Sequence, residues 1–443
     1  MKKTNTNFFK SILLASLLLA SYMSQAQMYP FKSAERVVNL SAGNLNNLLV
    51  RTIDESNLLT SCTLPMFVST VAILHTDEGS NTIEYARIPG IAHISDLRVL
   101  DEYILFSGMT TNSEGFIAYT EMGELFDPSL GNLDIYIIPY IKDINRVNAY
   151  MDVDGYSHVV AIGDEQYFVN LLPEIDYAHV HPADYTLLDF AFTDNRIVVL
   201  GRTSSNRIAL FSHEKTYPDH YLGFIYSHDP VRFENFLIEE LTGDNVLVSY
   251  TDRPDGYQAQ FVQIDATSLQ PIAQQSLLNA GKPNPKAMVF NPANATVMYL
   301  AHAVSDKDMI ALIKPDSNNS YMSNIIIPNM CRWGDNTFNS LTDYRDSYLS
   351  AVGKDTTSGN LYWFDYDYTQ GITSGNCFET MQENVIMSNT FFISGSEYYH
   401  SDFAIQPQMQ TVNVYHSGPP YNIICNANST HKCNFRREGK ERK

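Results

Sequence analysis

Three observations on the 443-residue sequence predict an all-β chain. Short runs rich in Val, Ile, Tyr and Phe dominate, cut by Asp, Asn, Gly and Ser, which is the pattern of strands bounded by turns. Six successive segments repeat one unit: strand, tight polar turn, apolar strand ending in a small or polar residue, polar loop, apolar strand. The unit recurs about every fifty residues, the size of four antiparallel strands with their turns. Together these predict a single β-propeller of seven four-stranded blades, its ring closed by strands from both chain ends.

The first unit runs Leu97–Leu100, turns at Asp101-Glu102, continues Tyr103–Gly108 and returns through Phe116–Tyr119. The second has the turn Asp154-Gly155, then His158–Gly163 and Tyr167–Val169. In the third, Leu188–Phe192 leads to Asp194-Asn195, then Ile197–Gly201 and Ile208–Phe211. The fourth uses Gly243-Asp244-Asn245, Val246–Tyr250 and Ala259–Ile264. The fifth has Met288–Phe290, Pro292–Asn294, Val297–Ala301 and Met309–Ile313, and the sixth Leu341, Arg345-Asp346, Tyr348–Gly353 and Leu361–Phe364. A hairpin within Met66–Ile88 and strands within Phe391–His416 remain, and are expected to pair into the closing blade. An open pair of β-sandwiches or a β-solenoid is the structural alternative, but six similar units in succession do not suit a sandwich and the period is long for a solenoid.

The N-terminus reads as a secretory signal over 1–26. Lys2, Lys3 and Lys10 flank the apolar core Ile12–Leu19, and Ser24-Gln25-Ala26 offers a small-x-small cleavage site. The apolar run is shorter than the ~20 residues a spanning helix needs, so no transmembrane span is expected. The remaining chain divides into a leader at 27–60, the propeller at 61–424 and a basic tail at 425–443. Localisation is expected to be exported: periplasm, outer surface or medium. Five cysteines (Cys62, Cys331, Cys377, Cys425, Cys433) sit in a compartment that permits disulfides. An odd count leaves at least one free or paired between chains, and spacing does not fix the pairing.

The net charge of the whole chain is −20, with 49 acidic residues. An acidic surface repels phosphate backbones, which sets nucleic acid aside as a partner. Catalytic and cofactor signatures are absent: no GxSxG elbow, HExxH helix, phosphate-binding loop or GxGxxG after a strand. No cofactor is expected.

The best metal-like cluster is Asp176, His179, His181 and Asp184, within IDYAHVHPAD. On a strand the two histidines share a face at a spacing that suits one ion, and the flanking carboxylates could complete a shell. Asp152-x-Asp154-Gly155 resembles the start of a calcium loop but lacks the later ligands, and reads as a turn. Tyrosine is abundant, at 28 residues against two tryptophans. Tyr217, Tyr221 and Tyr226, with Tyr362, Trp363 and Tyr366, form the candidate binding residues, because such rings give large amphipathic contact area at low entropic cost.

Over roughly residues 60 to 420 the repeated unit resembles β-propellers as an architecture, without the Trp-Asp dipeptide, the Gly-Gly pair or the Ser-x-Asp-x-Gly-x-Thr-Trp box of named propeller families. The chain resembles the exported propellers common in Bacteroidetes-type bacteria. Ala42-Gly43-Asn44-Leu45 and Leu48-Leu49 are similar to the short leader of some exported repeat proteins from such bacteria. The resemblance implies a non-catalytic binding protein presenting loops to a protein or glycan partner. The alternative is an extracellular carbohydrate-active hydrolase or lyase acting at the channel mouth. Convergent acids, His and Arg at the channel would favour the enzyme, and an aromatic rim would favour the binder.

Overall fold

The structure is a computed structural model. It describes residues 33–39, 46–53, 57–64, 70–77, 82–129, 131–152, 155, 157–172, 177–183, 185–204, 207–215, 221–226, 233–252, 258–277, 284–292, 295–303, 307–313, 322–328, 336–344, 348–355, 361–367, 378–387, 393–395, 403–416 and 422–426. The expected signal peptide lies outside the described residues.

After β1 (Ser33–Asn39) the chain folds into successive antiparallel meanders. The first is β2 (Asn46–Thr52), β3 (Asn57–Thr63), β4 (Thr70–Asp77) and β5 (Thr82–Pro89). The next is β6 (Ile91–Leu100), β7 (Tyr103–Thr110), β8 (Gly115–Glu121) and β9 (Asn132–Ile137), with the short helix α1 (Met122–Phe126) between β8 and β9. Then come β10 (Ile144–Met151), β11 (Ser157–Gly163), β12 (Tyr167–Leu172) and β13 (Tyr177–Pro182). They are followed by β14 (Thr186–Phe192), β15 (Arg196–Arg202), β16 (Ile208–Glu214) and β17 (Tyr221–Tyr226). β18 (Phe233–Glu240), β19 (Asn245–Asp252), β20 (Gln258–Asp265) and β21 (Pro271–Leu277) precede β22 (Asn284–Asn291), β23 (Thr296–Ala303), β24 (Lys307–Ile313) and β25 (Met322–Pro328). The last is three-stranded: β26 (Asn336–Tyr344), β27 (Tyr348–Asp355) and β28 (Leu361–Asp367).

Turn chemistry agrees with the sequence. Asp101 and Gly155 take positive φ of 53° and 85°, and Gly243 takes 73°, each at a predicted turn. The span expected as a leader does not stand ahead of the sheets: it supplies β1, β2 and the start of β3.

The described strands hydrogen-bond into six sheets, where seven separate blades were expected. The difference lies in one nine-stranded sheet, in which β29 (Phe378–Met387) pairs with both β21 and β25 and joins two meanders edge to edge. The expected shared blade of the Val71–Ile88 hairpin with the 391–416 strands is reduced, among the described residues, to one antiparallel bridge in which Arg87 and Tyr415 exchange backbone hydrogen bonds of 2.9 Å. Instead β30 (Ile393–Gly395) pairs with β17, β31 (Phe403–Ile405) with β13, and β32 (Gln408–Asn413) with β9. β33 (Asn422–Asn426) pairs with β1, which itself pairs with β28. The physical reason is that each meander leaves an outer edge of unsatisfied backbone groups, and the late strands satisfy them in turn.

The first strands of the meanders gather at the centre. β2 packs against β6 and β26, β6 against β10, β14 against β18, and β22 against β18 and β26. Across β2 and β26, the Val50 and Thr52 N–H groups donate to Ser340 Oγ and Thr342 Oγ1, each at 3.2 Å. The hydrophobic core lies in layers between neighbouring sheets. Phe106, Phe116 and Ile73 fill one layer, Val147, Ala161 and Ile117 the next, and Val198, Leu210 and Val248 another. Strands such as β11, buried along six of their seven residues, carry near-continuous apolar runs because both faces are covered. The chain is a β-propeller.

Candidate functional site

Every meander's first strand carries a register shift against its second. The shifts fall at Asn46/Leu49, Ile94/Asp96, Ile144/Arg146, Leu187/Asp189, Glu234/Leu237, Pro285/Ala287 and Phe338/Ser340. A bulge increases local twist and re-aims the side chains that follow it. The residue after the shift and the one two further on face the same way. In the first row these positions include Asp96, Arg146, Asp189 and Ser340, and in the second Arg51, Arg98, Asn148, Glu239 and Thr342. Both rows line one central cavity of about 440 Å³.

The charged groups are tied to one another across strands. Asp96, 2% exposed, accepts Arg51 Nη2 (3.1 Å) and the Leu97 N–H (2.9 Å) on Oδ1. Its Oδ2 accepts Arg98 Nε (3.3 Å) and the Val147 N–H (3.1 Å). Arg146 Nε donates to Asp189 Oδ1 at 3.1 Å, and the Phe190 N–H donates to the same oxygen at 2.9 Å. Lys286 Nζ donates to both oxygens of Asp308, at 2.9 and 3.0 Å.

Burial opposes ionisation of Asp96, but Arg98, Arg51, Arg146 and the Val147 N–H together hold its carboxyl below the usual range. Burial dominates at Asp189 and pushes its carboxyl up despite Arg146 and Arg98. Glu239 is pushed up to about 8, again by burial first, against one hydrogen bond from the Phe290 N–H at 3.2 Å and the field of Arg98. Its carboxyl is therefore largely protonated near neutrality. Burial lowers Arg51 to about 10.

Ser95, His93 and Asp143 meet at the edge of this region. Ser95 Oγ and His93 Nε2 each lie 3.0 Å from the Asp143 carboxylate, so both engage the acid and neither engages the other. The Ser95 hydroxyl donates to the carboxylate and not to the imidazole, so the three groups do not form the serine–imidazole–carboxylate relay of a hydrolytic triad.

The residues singled out from sequence lie elsewhere. Tyr221 and Tyr226 stand on β17, and Tyr362, Trp363 and Tyr366 on β28, in two different sheets, while Tyr217 lies outside the described residues. His179 and His181 share β13 with ring centroids 6.4 Å apart, and His181 lies 6.1 Å from the Phe168 ring. Asp176 and Asp184 lie outside the described residues, among which no group of three His, Cys, Asp or Glu could hold a metal ion. Cys62 is a free, buried thiol, pushed up to about 12 by burial. Cys425 lies on β33, and Cys331, Cys377 and Cys433 lie outside the described residues. Among the described residues no helix is long and apolar enough to cross a membrane.

The channel residues were not singled out from sequence, although a signal was present. One or two charges interrupt an otherwise apolar strand in most units, as in LLVRT, ISDLRVL, LLDFAF and FLIEE.

No protein-family model and no curated protein matches this chain. Solved structures similar to it include the Dos1 propeller, with a TM-score of 0.41 at 9% identity over 76% of this chain and 94% of that one. The WD40 domain of SCAP from fission yeast gives 0.41 at 8% identity, over 86% and 98%. A prolyl endopeptidase gives 0.38 at 6% identity, with 74% of this chain covering 50% of that one.

Proposed function

We propose that this chain is an exported, non-catalytic binding protein that offers the central cavity and its rim to a protein or glycan partner outside the cytoplasm. On this reading the nine-stranded sheet works as two blades, giving seven around the axis, and β1 with β33 closes the ring from both chain ends. The observation that carries the reading is the cavity wall. Its carboxylates Asp96 and Asp189 are bound by arginines and backbone N–H groups, so the polar surface is rigid and preorganised. Rigid polar concavity with a few fixed donors favours recognition, because little ordering is left to oppose binding.

Two observations favour the second reading, a carbohydrate-active hydrolase or lyase: acids and arginines converge on the channel, as expected of an enzyme, and one of those acids is held protonated. Glu239 keeps its proton near neutral pH, as a general acid must. The two readings separate when the mature protein is applied to a broad glycan array and the same samples are assayed for new reducing ends. Binding without release supports the first reading. Release of sugar overturns it and makes Glu239 the first residue to replace. Absence of both leaves protein partners, to be sought at the rim.

A further inference from the structure

We propose that the channel cavity holds the carboxylate of a small ligand, gripped by the free guanidinium N–H groups of Arg98 and Arg146 with Asn148 and Glu239 as further donors. This rests on reading the chain as a binding protein and names the chemistry of its ligand.

The first support is a count of donors and acceptors. Both hydrogen bonds of Arg98 are made by Nε, to Asp96 and to the Val147 carbonyl at 3.3 Å each, so Nη1 and Nη2 have no partner among the described residues. Arg146 uses Nε on Asp189 and Nη1 on the Asn145 carbonyl at 3.0 Å, which leaves Nη2. Asn148 lines the cavity and its Oδ1 accepts the Ala149 N–H at 2.9 Å, which leaves its amide nitrogen as a donor. Each oxygen of Asp96 already accepts two bonds. The wall built by β6 and β10 thus presents spare donors, and an acceptor-only group fits it.

The second support is charge. Arg51, Arg98 and Arg146 form their ion pairs with Asp96 and Asp189, Arg51 and Arg98 also lie in the field of Glu239, and Lys286 is matched by Asp308. Glu240, exposed at the edge, is set against Lys215. One positive charge is in excess while Glu239 keeps its proton, inside a molecule of net charge −20. A monoanion balances it, whereas a dianion would face Asp96 and Asp189 with charge to spare. The third is rigidity: Arg98 is pinned through Nε to Asp96 and the Val147 carbonyl, leaving its two Nη groups as the preorganised fork that planar carboxylates pair with, and Arg146 is pinned through Nε and Nη1, leaving Nη2 as one fixed donor.

The test is titration calorimetry on the full chain, below the Glu239 value, with sodium D-glucuronate, N-acetylalanine, D-glucose and inorganic phosphate. At least one carboxylate binds, and glucose and phosphate bind at least about tenfold more weakly. Glucuronate alone identifies an acidic sugar, and N-acetylalanine alone a peptide terminus. Arg98→Gln weakens binding by about tenfold or more. Because it also removes a partner of Asp96, Arg146→Lys is the second variant; it keeps the charge beside Asp189, loses the fixed Nη2 donor and weakens binding similarly. Glu239→Gln keeps a neutral donor, retains affinity and removes the fall in affinity that the natural protein shows as pH rises through about 8. Glucose or phosphate binding as tightly as the carboxylates overturns the proposal, as does silence from both carboxylates or unchanged binding by Arg98→Gln. Neutral sugars bound on a glycan array would then leave the broader binding reading standing.

Discussion

Arg51 Nη2 lies 3.1 Å from Asp96 Oδ1, and this bond crosses from the first strand of one meander to that of the next. The same carboxylate receives the Val147 N–H from the strand beyond, so one buried acid ties β2, β6 and β10 together. Replacing it isosterically by Asp96→Asn leaves Arg51 and Arg98 without their counter-charge. The expected loss is about 3 kcal/mol, in the range found when one partner of a buried pair is removed. Urea unfolding monitored by tryptophan fluorescence measures it. The pH dependence follows in sign. Asp96 titrates below its ordinary value, so its stabilisation is present above about pH 4 and is lost as pH falls through the lower folded value.

Glu239 works in the opposite direction. Its folded value, about 8, stands above the ordinary 4.5, so the native state binds the extra proton between those values. Stability contributed by this site therefore falls as pH rises from about 4.5 to about 8 and is level beyond. The charged groups around it are Arg98 on β6, Asp189 on β14, Arg51 on β2 and the neighbouring Glu240, with Lys286 on the adjacent β22 lining the same cavity. Glu239→Gln removes the slope and stabilises the protein at high pH by roughly 2 kcal/mol, reduced where cavity water screens the charge. Thermal melts of both proteins across this range decide it; parallel curves would count against a protonated Glu239.

Lys286 occupies the bulge of β22 and neutralises Asp308, whose side chain is 2% exposed. Lys286→Met takes that ammonium away from a buried carboxylate and costs about 3 kcal/mol. Adding Asp308→Leu in the same chain recovers much of the loss, because the desolvated charge is then gone too. A double-mutant cycle by chemical denaturation gives the coupling; additive losses would mean that the two groups do not interact.

Much of the scaffold was legible because its signals are local. Asp101, Gly155 and Gly243 announce turns through the positive φ they tolerate, and the second strands of the meanders read as unbroken apolar runs because both faces are buried. Three features were not legible. β2 looked like part of a leader, since Asn46-Asn47-Leu48-Leu49 has no strand alternation until its bulge is known. The pairing of β29 to β33 with several sheets is long-range, and short strands such as Ile393–Gly395 carry no register of their own. The channel charges did not stand out, since only the ring brings Arg51, Asp96 and Arg146 together. Tyrosine counting drew attention to β17 and β28 because it weighs abundance, whereas the convergent set consists of single residues from different units.

The strand-end glycines test the bulge geometry most directly. Gly108 on β7 lies opposite the doubly shifted stretch of β6, and a Cβ placed there would overlap the His93 carbonyl oxygen. That obstacle is backbone, held in a paired strand, and cannot swing aside. At Gly163 a Cβ would meet Ile141 Cγ2 at 2.5 Å, the branch methyl of a buried side chain that yields only by turning about χ1. At Gly201 the nearest atom, the Thr186 carbonyl oxygen, is 3.3 Å away. None of the three has the positive φ that would itself penalise alanine, so contact decides the outcome. Alanine also restricts the unfolded chain, which favours folding by about 0.4–1 kcal/mol. The expected order of stability is then Gly201→Ala near or slightly above the parent, Gly163→Ala lower by about 1 kcal/mol, and Gly108→Ala lower by about 3 kcal/mol. Denaturant midpoints for the three variants supply the ranking. A Gly108→Ala protein as stable as Gly201→Ala would mean that β6 and β7 do not approach as closely as the bulge requires, and the aim of Asp96 and Arg98 into the channel would lose its structural basis.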